Sequence, residues 1–313
     1  MSYDFDILAL GEVNVDLILA GLPRIPDWGT EVLAESMDLC LGGSTANFAC
    51  VAAALGLRVA LVSWVGQDDF GAFLVAELQR MGVATDHVRQ ATDCSTGLTV
   101  ALSGSRDRAF VTALGTIDYL RGAHVSDGLL ATARHLHVGS FFLQSKLRPD
   151  LPELFRRAHA CGVSTSLDVG YDPAEQWDSD LYSVLAETDV FLPNEVEAMA
   201  ISGKASPEEA AAMLAALGPL AVVKLGSQGS CAHDRTALCC QPGYEVQVVD
   251  TTACGDAFNA GFLHGWLQGL SLQDCLRWGN ACGGLMATVA GNNTSAVSAE
   301  AVASLIRGGG PGV

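Results

Sequence analysis

Lysine is scarce. Only Lys146, Lys204 and Lys224 occur in 313 residues, and 17 basic side chains face 35 acidic ones for a formal charge of -18. No basic cluster relieves that imbalance, so nucleic acid and anionic membranes would be repelled at long range and are not expected as partners. No run of 18 uncharged apolar residues occurs, and the opening MSYDFDILAL lacks a basic region leading into an apolar one. A cytoplasmic chain without a membrane span is predicted. Ten cysteines are present without a C-x-x-C pair, and Cys239 and Cys240 simply adjoin, so reduced thiols are expected. Metal-site spacing is missing as well: His135 and His137, in RHLHVGS, sit two apart on what reads as a strand and are expected to be structural.

Half of the residues are hydrophobic, ample for one large core. Short apolar runs at 7–10, 59–65, 136–139, 165–169, 190–193 and 221–225 read as buried strands, with helical patterns between them. The clearest helix is SPEEAAAMLAALG, with Ser206 as N-cap, Pro207 at the first position, Glu209 closing a capping box and Gly218 as the stop. Strands alternating with helices predict a doubly wound α/β fold, a mostly parallel sheet with helices on both faces. Segments near 13–40 and 93–114 break this rhythm with Thr- and Val-rich alternation and turn residues, as in a small antiparallel sheet. Paired with each other they would form a lid over the carboxyl edge of the large sheet, where open α/β sheets bind ligands. The whole chain, 1–313, reads as one domain, and the tail RGGGPGV is expected to be disordered.

In VVDTTACGDAFNAGF, small residues lead into an apolar helix, with Asp256 at the junction. Unpaired N–H groups at a helix start form an anion site, while a carboxylate there also serves as an ordinary helix-stabilising device. Upstream, CLGGSTANFACVAAALG carries Gly42 and Gly43, which let a ligand approach the backbone, and Asn47, which both donates and accepts. GEVNVDLIL places Asn14 and Asp16 at the end of the first strand, where Asp16 would accept from neighbouring hydroxyls of a polyol. FLPNEVEAM sets Asn194 and Glu197 three apart at a helix start, a spacing suited to hydrated Mg²⁺. VVKLGSQGS carries Lys224, Gly226 and Gly229 at and after a strand, where backbone can approach a nucleotide. Each has a plain alternative: a tight turn for the glycines, a solvated turn for NEVE, a cap for Asp256.

Together, in order and spacing, GEVNVD, GGSTAN, NEVE, KLGSQG and DTTACGD resemble the ribokinase-like, or PfkB, family of carbohydrate and nucleoside kinases. Neither the Walker A pattern nor the protein-kinase set is present. The resemblance implies ATP and Mg²⁺ as cofactors, with Asp256 as the catalytic base. The backbone of Ala253, Cys254, Gly255 and Asp256 would form an anion hole. It assigns Asn194 and Glu197 to Mg²⁺ through water, and Asn14, Asp16, Gly42, Gly43 and Asn47 to the sugar. Lys224, Gly226, Gly229 and Asn280 fall to the nucleotide, and Asp250 with Thr252 to a possible K⁺. Homodimers through the lid are a further implication.

The family signature commonly reads Gly-Ala-Gly-Asp, where this chain has Ala253 and Cys254 in the first two places. Ala253 is strained if that position needs a positive φ. Cys254 is either a reactive thiol at a helix N-terminus, protected by ATP, or a small buried stand-in for Ala. Ser44 stands where ribokinases tend to carry Lys, which points to another sugar or a sugar acid. Arg106 and Arg108 would contact an acidic acceptor or sit solvated on a hairpin; Gln144 would read a hydroxyl or cap a loop. Trp28 and Phe110 offer an aromatic shelf for the alternative of a nucleoside kinase, and a non-catalytic sensor of the same fold is the other reading.

Overall fold

A computed structural model of the protein describes residues 3–104, 108–177, 180–291 and 293–308. Arg106 and the last five residues of the Gly-rich tail lie outside them, and of Arg108 only the backbone is described. The chain runs through β1 (Phe5–Leu10), the hairpin β2 (Asn14–Leu22) and β3 (Ser36–Gly42), α1 (Ser44–Ala54), β4 (Val59–Gly66), α2 (Asp69–Arg80) and β5 (Val88–Ala91). A second hairpin, β6 (Leu98–Gly104) and β7 (Arg108–Ala113), precedes α3 (Asp127–Leu130), β8 (Ala133–Val138), α4 (Leu151–Ala160), β9 (Ser164–Leu167), α5 (Asp180–Leu185) and β10 (Val190–Phe191). Then come α6 (Glu195–Ser202), α7 (Pro207–Ala215), β11 (Leu220–Lys224), β12 (Ser230–His233), β13 (Leu238–Gln241), α8 (Cys254–Leu267), α9 (Leu272–Met286) and α10 (Ala299–Gly308).

Nine strands form the large sheet in the order β13-β12-β11-β10-β9-β8-β1-β4-β5. All its pairs are parallel except β11–β12 and β12–β13, which make an antiparallel hairpin at one edge. Two hydrophobic clusters flank it: one gathers Ile7, Ala9, Phe48 and Phe262, the other Leu8, Leu10, Phe155 and Phe191. Alternate residues of β1 thus feed opposite faces, as a sheet covered on both sides requires. Each of the six apolar runs overlaps a strand of this sheet, and those at 136–139, 165–169, 190–193 and 221–225 run one or two residues past its end.

The two irregular segments supply a separate four-stranded sheet in the order β3-β2-β6-β7. It is not wholly antiparallel as expected. Each hairpin is antiparallel, but β2 and β6, which join them, run parallel, with Asp16 opposite Thr99 and Ile18 opposite Ala101. The reason is connectivity: the two hairpins are separated by α1, β4, α2 and β5, and a connection of that length permits parallel pairing. In α7, Ser206 accepts from the Glu209 N–H as expected, but the reciprocal bond that closes a capping box is not formed. The helix ends at Ala215, with Gly218 two residues past its C-cap.

Candidate active site

Parallel strands end on one edge, and the polar residues following them converge there. Asp168 follows β9, Asn194 follows β10 and Lys224 ends β11. Lys224 Nζ donates to Asp168 Oδ2 at 2.6 Å and to Asn259 Oδ1, on α8, at 3.3 Å; Asn259 Nδ2 donates to the same Asp168 oxygen. Burial works against the Asp168 charge, but Lys224 and the Asn259 and Gly170 bonds hold its carboxyl below the usual range. Burial opposes the Lys224 charge, yet Asp168 and Glu197 hold its ammonium above the ordinary value. Asp168 and Asn259 were not legible as site residues. An apolar strand ending in Asp, TSLDVG, was the available signal for the first.

Asp256 lies in the first turn of α8. Its Oδ1 accepts from Ser44 Oγ at 2.5 Å and its Oδ2 from Asn47 Nδ2 at 3.2 Å. Burial pushes its pKa up to about 7, with the charge of Asp168 adding to the rise and Ser44, Lys224 and Asn47 opposing it. Asn14 and Asp16, on β2, lie beside the Gly pair that leads into α1: Asn14 Nδ2 donates to Asp16 Oδ1 at 2.8 Å. A Cβ at Gly42 would meet the Asp16 carboxyl within 2.4 Å, and Gly43 caps α1 with φ 96°. The start of α1 is fixed from beneath by Glu12, a buried carboxyl that accepts from Thr45 Oγ1 at 2.8 Å and Ser140 Oγ at 2.7 Å.

The first turn of α8 carries the polar backbone of the site. Cys254 N–H donates to the Thr251 carbonyl, so the open donors are the N–H groups of Ala253, Gly255 and Asp256, which have no backbone partner among the described residues. Gly255 and Cys254 wall a cavity of about 650 Å³ that also takes in Lys224, Gly226, Gly229, Tyr244, Phe258 and Asn280. A larger cavity, about 960 Å³, lies under the small sheet and reaches the site at Asp16, Asp250 and Thr252; Asp256 itself does not line it. The helix start therefore stands between two spaces, one suited by its open donors to phosphate and one roofed by the small sheet.

A family model described as pfkB family carbohydrate kinase matches residues 4–299. The chain belongs to that family. It is 31% identical over 302 residues to an ATP-dependent ribose-1-phosphate kinase of Halopiger xanaduensis, covering 96% of this chain and 97% of the relative. It is 30% identical to a fructoselysine 6-kinase of Shigella flexneri over 83% of this chain and 95% of that one. The fold superposes on Arabidopsis thaliana ribokinase complexed with ribose and ATP with a TM-score of 0.86 at 24% identity, covering 98% and 99% of the two chains. The protein is an ATP-using phosphotransferase with an alcohol acceptor.

Within this PfkB kinase several sequence expectations change. Asn194 and Glu197 do lie at a helix start, as the N-cap and third residue of α6, but they bond each other: Oδ1 accepts from Glu197 N–H at 2.9 Å and Glu197 Oε2 accepts from Asn194 N–H at 2.8 Å, a complete capping box. Burial and the Asp168 charge push Glu197 up to about 7. Asn280 lines the smaller cavity, but its amide donates to the Gln241 and Pro242 carbonyls, bracing the wall. Gly226 and Gly229 line the same cavity, and Gly229, at φ 102°, is pressed against Gln241 and Gly243, where no side chain fits. Gln144 does not face the larger cavity; it is buried and caps a loop through the Gly139 carbonyl. Asp250 Oδ1 accepts from both the N–H and the hydroxyl of Thr252, and Oδ2 from Gly291 N–H at 3.0 Å. Burial, then the charges of Asp250 and Asp256, push the Cys254 pKa up to about 11, which favours the small stand-in for Ala over the reactive thiol.

Proposed function

We propose that the protein transfers the γ-phosphoryl group of ATP to a hydroxyl of a small sugar or sugar acid, with Asp256 as the base. The observation that carries this is the placement of Asp256 beside open N–H donors at one helix start, where Cys254 and Gly255 wall the smaller cavity and Asp250 and Thr252 the larger. A carboxyl near 7 is poised to take a proton at neutral pH. The acceptor would lie against Asn14, Asp16, Gly42, Gly43 and Asn47, and the N–H groups of Ala253, Gly255 and Asp256 would stabilise the charge on the transferring group. The small sheet acts as the lid of this single domain.

Asp168, Glu197 and Asp256 outnumber Lys224, and that surplus of oxygen donors and negative charge fits a divalent cation. Among the described residues no three His, Cys, Asp or Glu side chains converge to hold a metal directly. Asn194, Glu197 and Asp168 would therefore hold Mg²⁺ through water, as Mg²⁺ prefers, and the ion would neutralise phosphate charge. Asp250 and Thr252, which line the larger cavity, would serve K⁺. The small sheet turns Leu19, Met37, Leu102 and Val111 away from that cavity, a face we assign to a homodimer. No helix among the described residues is long and apolar enough to cross a membrane, and ten free cysteines fit the reducing, ATP-containing cytoplasm.

The test is coupled ADP release over D-ribose, ribose 1-phosphate, D-fructose, fructoselysine, 2-keto-3-deoxygluconate and adenosine, with and without K⁺. One acceptor is expected to turn over, with kcat/KM falling about tenfold per pH unit below a midpoint near 7, because a protonated Asp256 accepts nothing. Asp256→Asn is expected to lose at least about a thousandfold while keeping its fold. No turnover with any acceptor, or equal turnover in the Asn variant, sinks the reading. Adenosine as best acceptor would favour the nucleoside-kinase alternative, for which Phe110 lines the larger cavity while Trp28 is fully exposed elsewhere.

A further inference from the structure

Ser44 opens α1 and reaches Asp256 across 212 residues of sequence. Its 2.5 Å bond to Oδ1 is shorter than the 3.2 Å bond from Asn47 Nδ2 to Oδ2, and both donors project from one face of the helix, three residues apart. Neither donor sits on backbone free to drift. Gly43 caps the helix, Thr45 N–H and Oγ1 are tied to buried Glu12, and Thr45 and Asn47 are themselves buried. A carboxylate gripped at both oxygens has one orientation, and the oxygen with the weaker bond is the one left open to a further proton.

We propose that Ser44 is a positioning residue for phosphoryl transfer: its hydroxyl holds Asp256 ionised and aims Oδ2 at the acceptor hydroxyl. The inference rests on the kinase reading of the site. In the step it serves, the acceptor O–H gives its proton to Asp256 Oδ2. The new O–P bond forms as the bond from the γ-phosphorus to the β–γ bridging oxygen breaks, and ADP leaves with that electron pair. Ser44 exchanges no atom. The charged groups facing Asp256 are Asp168 beyond β9 and Lys224 at the end of β11, with Cys254 on its own helix and Ser44 and Asn47 on α1. Burial and Asp168 favour the protonated carboxyl, Lys224 opposes them through space, and Ser44 and Asn47 oppose them by contact. A ribokinase-type Lys in place of Ser44 would put a full charge at this contact; a hydroxyl tunes the base without neutralising it.

Two measurements test this. The first follows Asp256 by NMR of protein labelled at the aspartate carboxyl carbon, assigned with Asp256→Asn and needing no acceptor. The second is the pH profile of kcat/KM with ATP and the best acceptor of the panel above. Ser44→Ala is expected to raise both midpoints by about one pH unit, with a loss of about tenfold in kcat/KM on the acid limb and a much smaller loss above pH 8.5. Ser44→Thr, which keeps the hydroxyl, is expected to return both midpoints. An unmoved NMR midpoint in Ser44→Ala, an equal loss of rate at every pH, or failure of Thr to restore the profile overturns the role of Ser44 alone. Absence of turnover in the unaltered enzyme overturns the kinase reading and this role with it.

Discussion

Ala253 adopts φ 57° and ψ 8°, the left-handed region that a Cβ disfavours, at the position where the family signature usually has Gly. Ala253→Gly is therefore expected to raise stability by about 1 kcal/mol, the relief of Cβ strain exceeding the extra freedom glycine gives the unfolded chain. Urea denaturation reads this directly, and a loss of stability would show that Ala253 is unstrained. At this scale the sequence pointed to Asp256 and the helix start around it, because DTTACGD compresses that feature into adjacent residues. It did not reveal Asp168, whose partner Lys224 lies 56 residues away, nor the bond from Ser44 to Asp256. Contacts of that kind are set by which strands are neighbours, which local pattern does not encode.

Strand β8 carries a second polar device, behind the Asp168–Lys224 pair whose charges His137 senses. His135 is hydrogen-bonded to Ser164 and Ser166 of β9 at 2.7 Å each, and His137 to Ser166 at 2.8 Å, with its ring 3.9 Å from that of Phe48. Burial lowers both histidines to about 3, so the folded protein keeps them neutral while the unfolded chain protonates them near 6.5. Their contribution is fully present above pH 6.5 and is lost as pH falls toward 3, by up to about 1.4 kcal/mol per pH unit for each. Asp256 and Glu197, both near 7, act in the opposite sense, since the fold binds their protons more readily than the unfolded chain. Removing the histidines should therefore uncover the carboxyls: a His135→Gln, His137→Gln variant is expected to gain stability relative to the unaltered protein between pH 7 and 5. Denaturant melts across that range check it, and parallel pH curves would refute it. The strand spacing and the structural role of these histidines were readable from RHLHVGS. Their serine partners were not, because register between parallel strands far apart in sequence leaves no local mark.

For the molecule as a whole, apolar periodicity was enough to give a doubly wound sheet, while the small sheet was visible only as a break in rhythm and its parallel centre was hidden. That sheet has one face over the larger cavity and one directed away. Leu19 lies opposite both Met37 and Leu102, Val100 lies opposite Val111, and Met37 and Val111 are more than 60% exposed. An apolar sheet face in water favours pairing with a copy of itself. Light scattering is expected to give twice the chain mass, and Met37→Glu with Val111→Glu to give the monomer; a monomeric unaltered protein would remove the dimer assignment. The parallel pair β2–β6 carries one more consequence. Asn14 reaches Thr99 across 85 residues and Ser44 reaches Asp256 across 212, so the strands of the small sheet are all made within about the first third of the chain, while Asp256 follows much later. The cavity beneath that sheet is walled in part by Ala290, Thr294 and Val297, so its roof is synthesised early and its floor is completed only with the last of the chain.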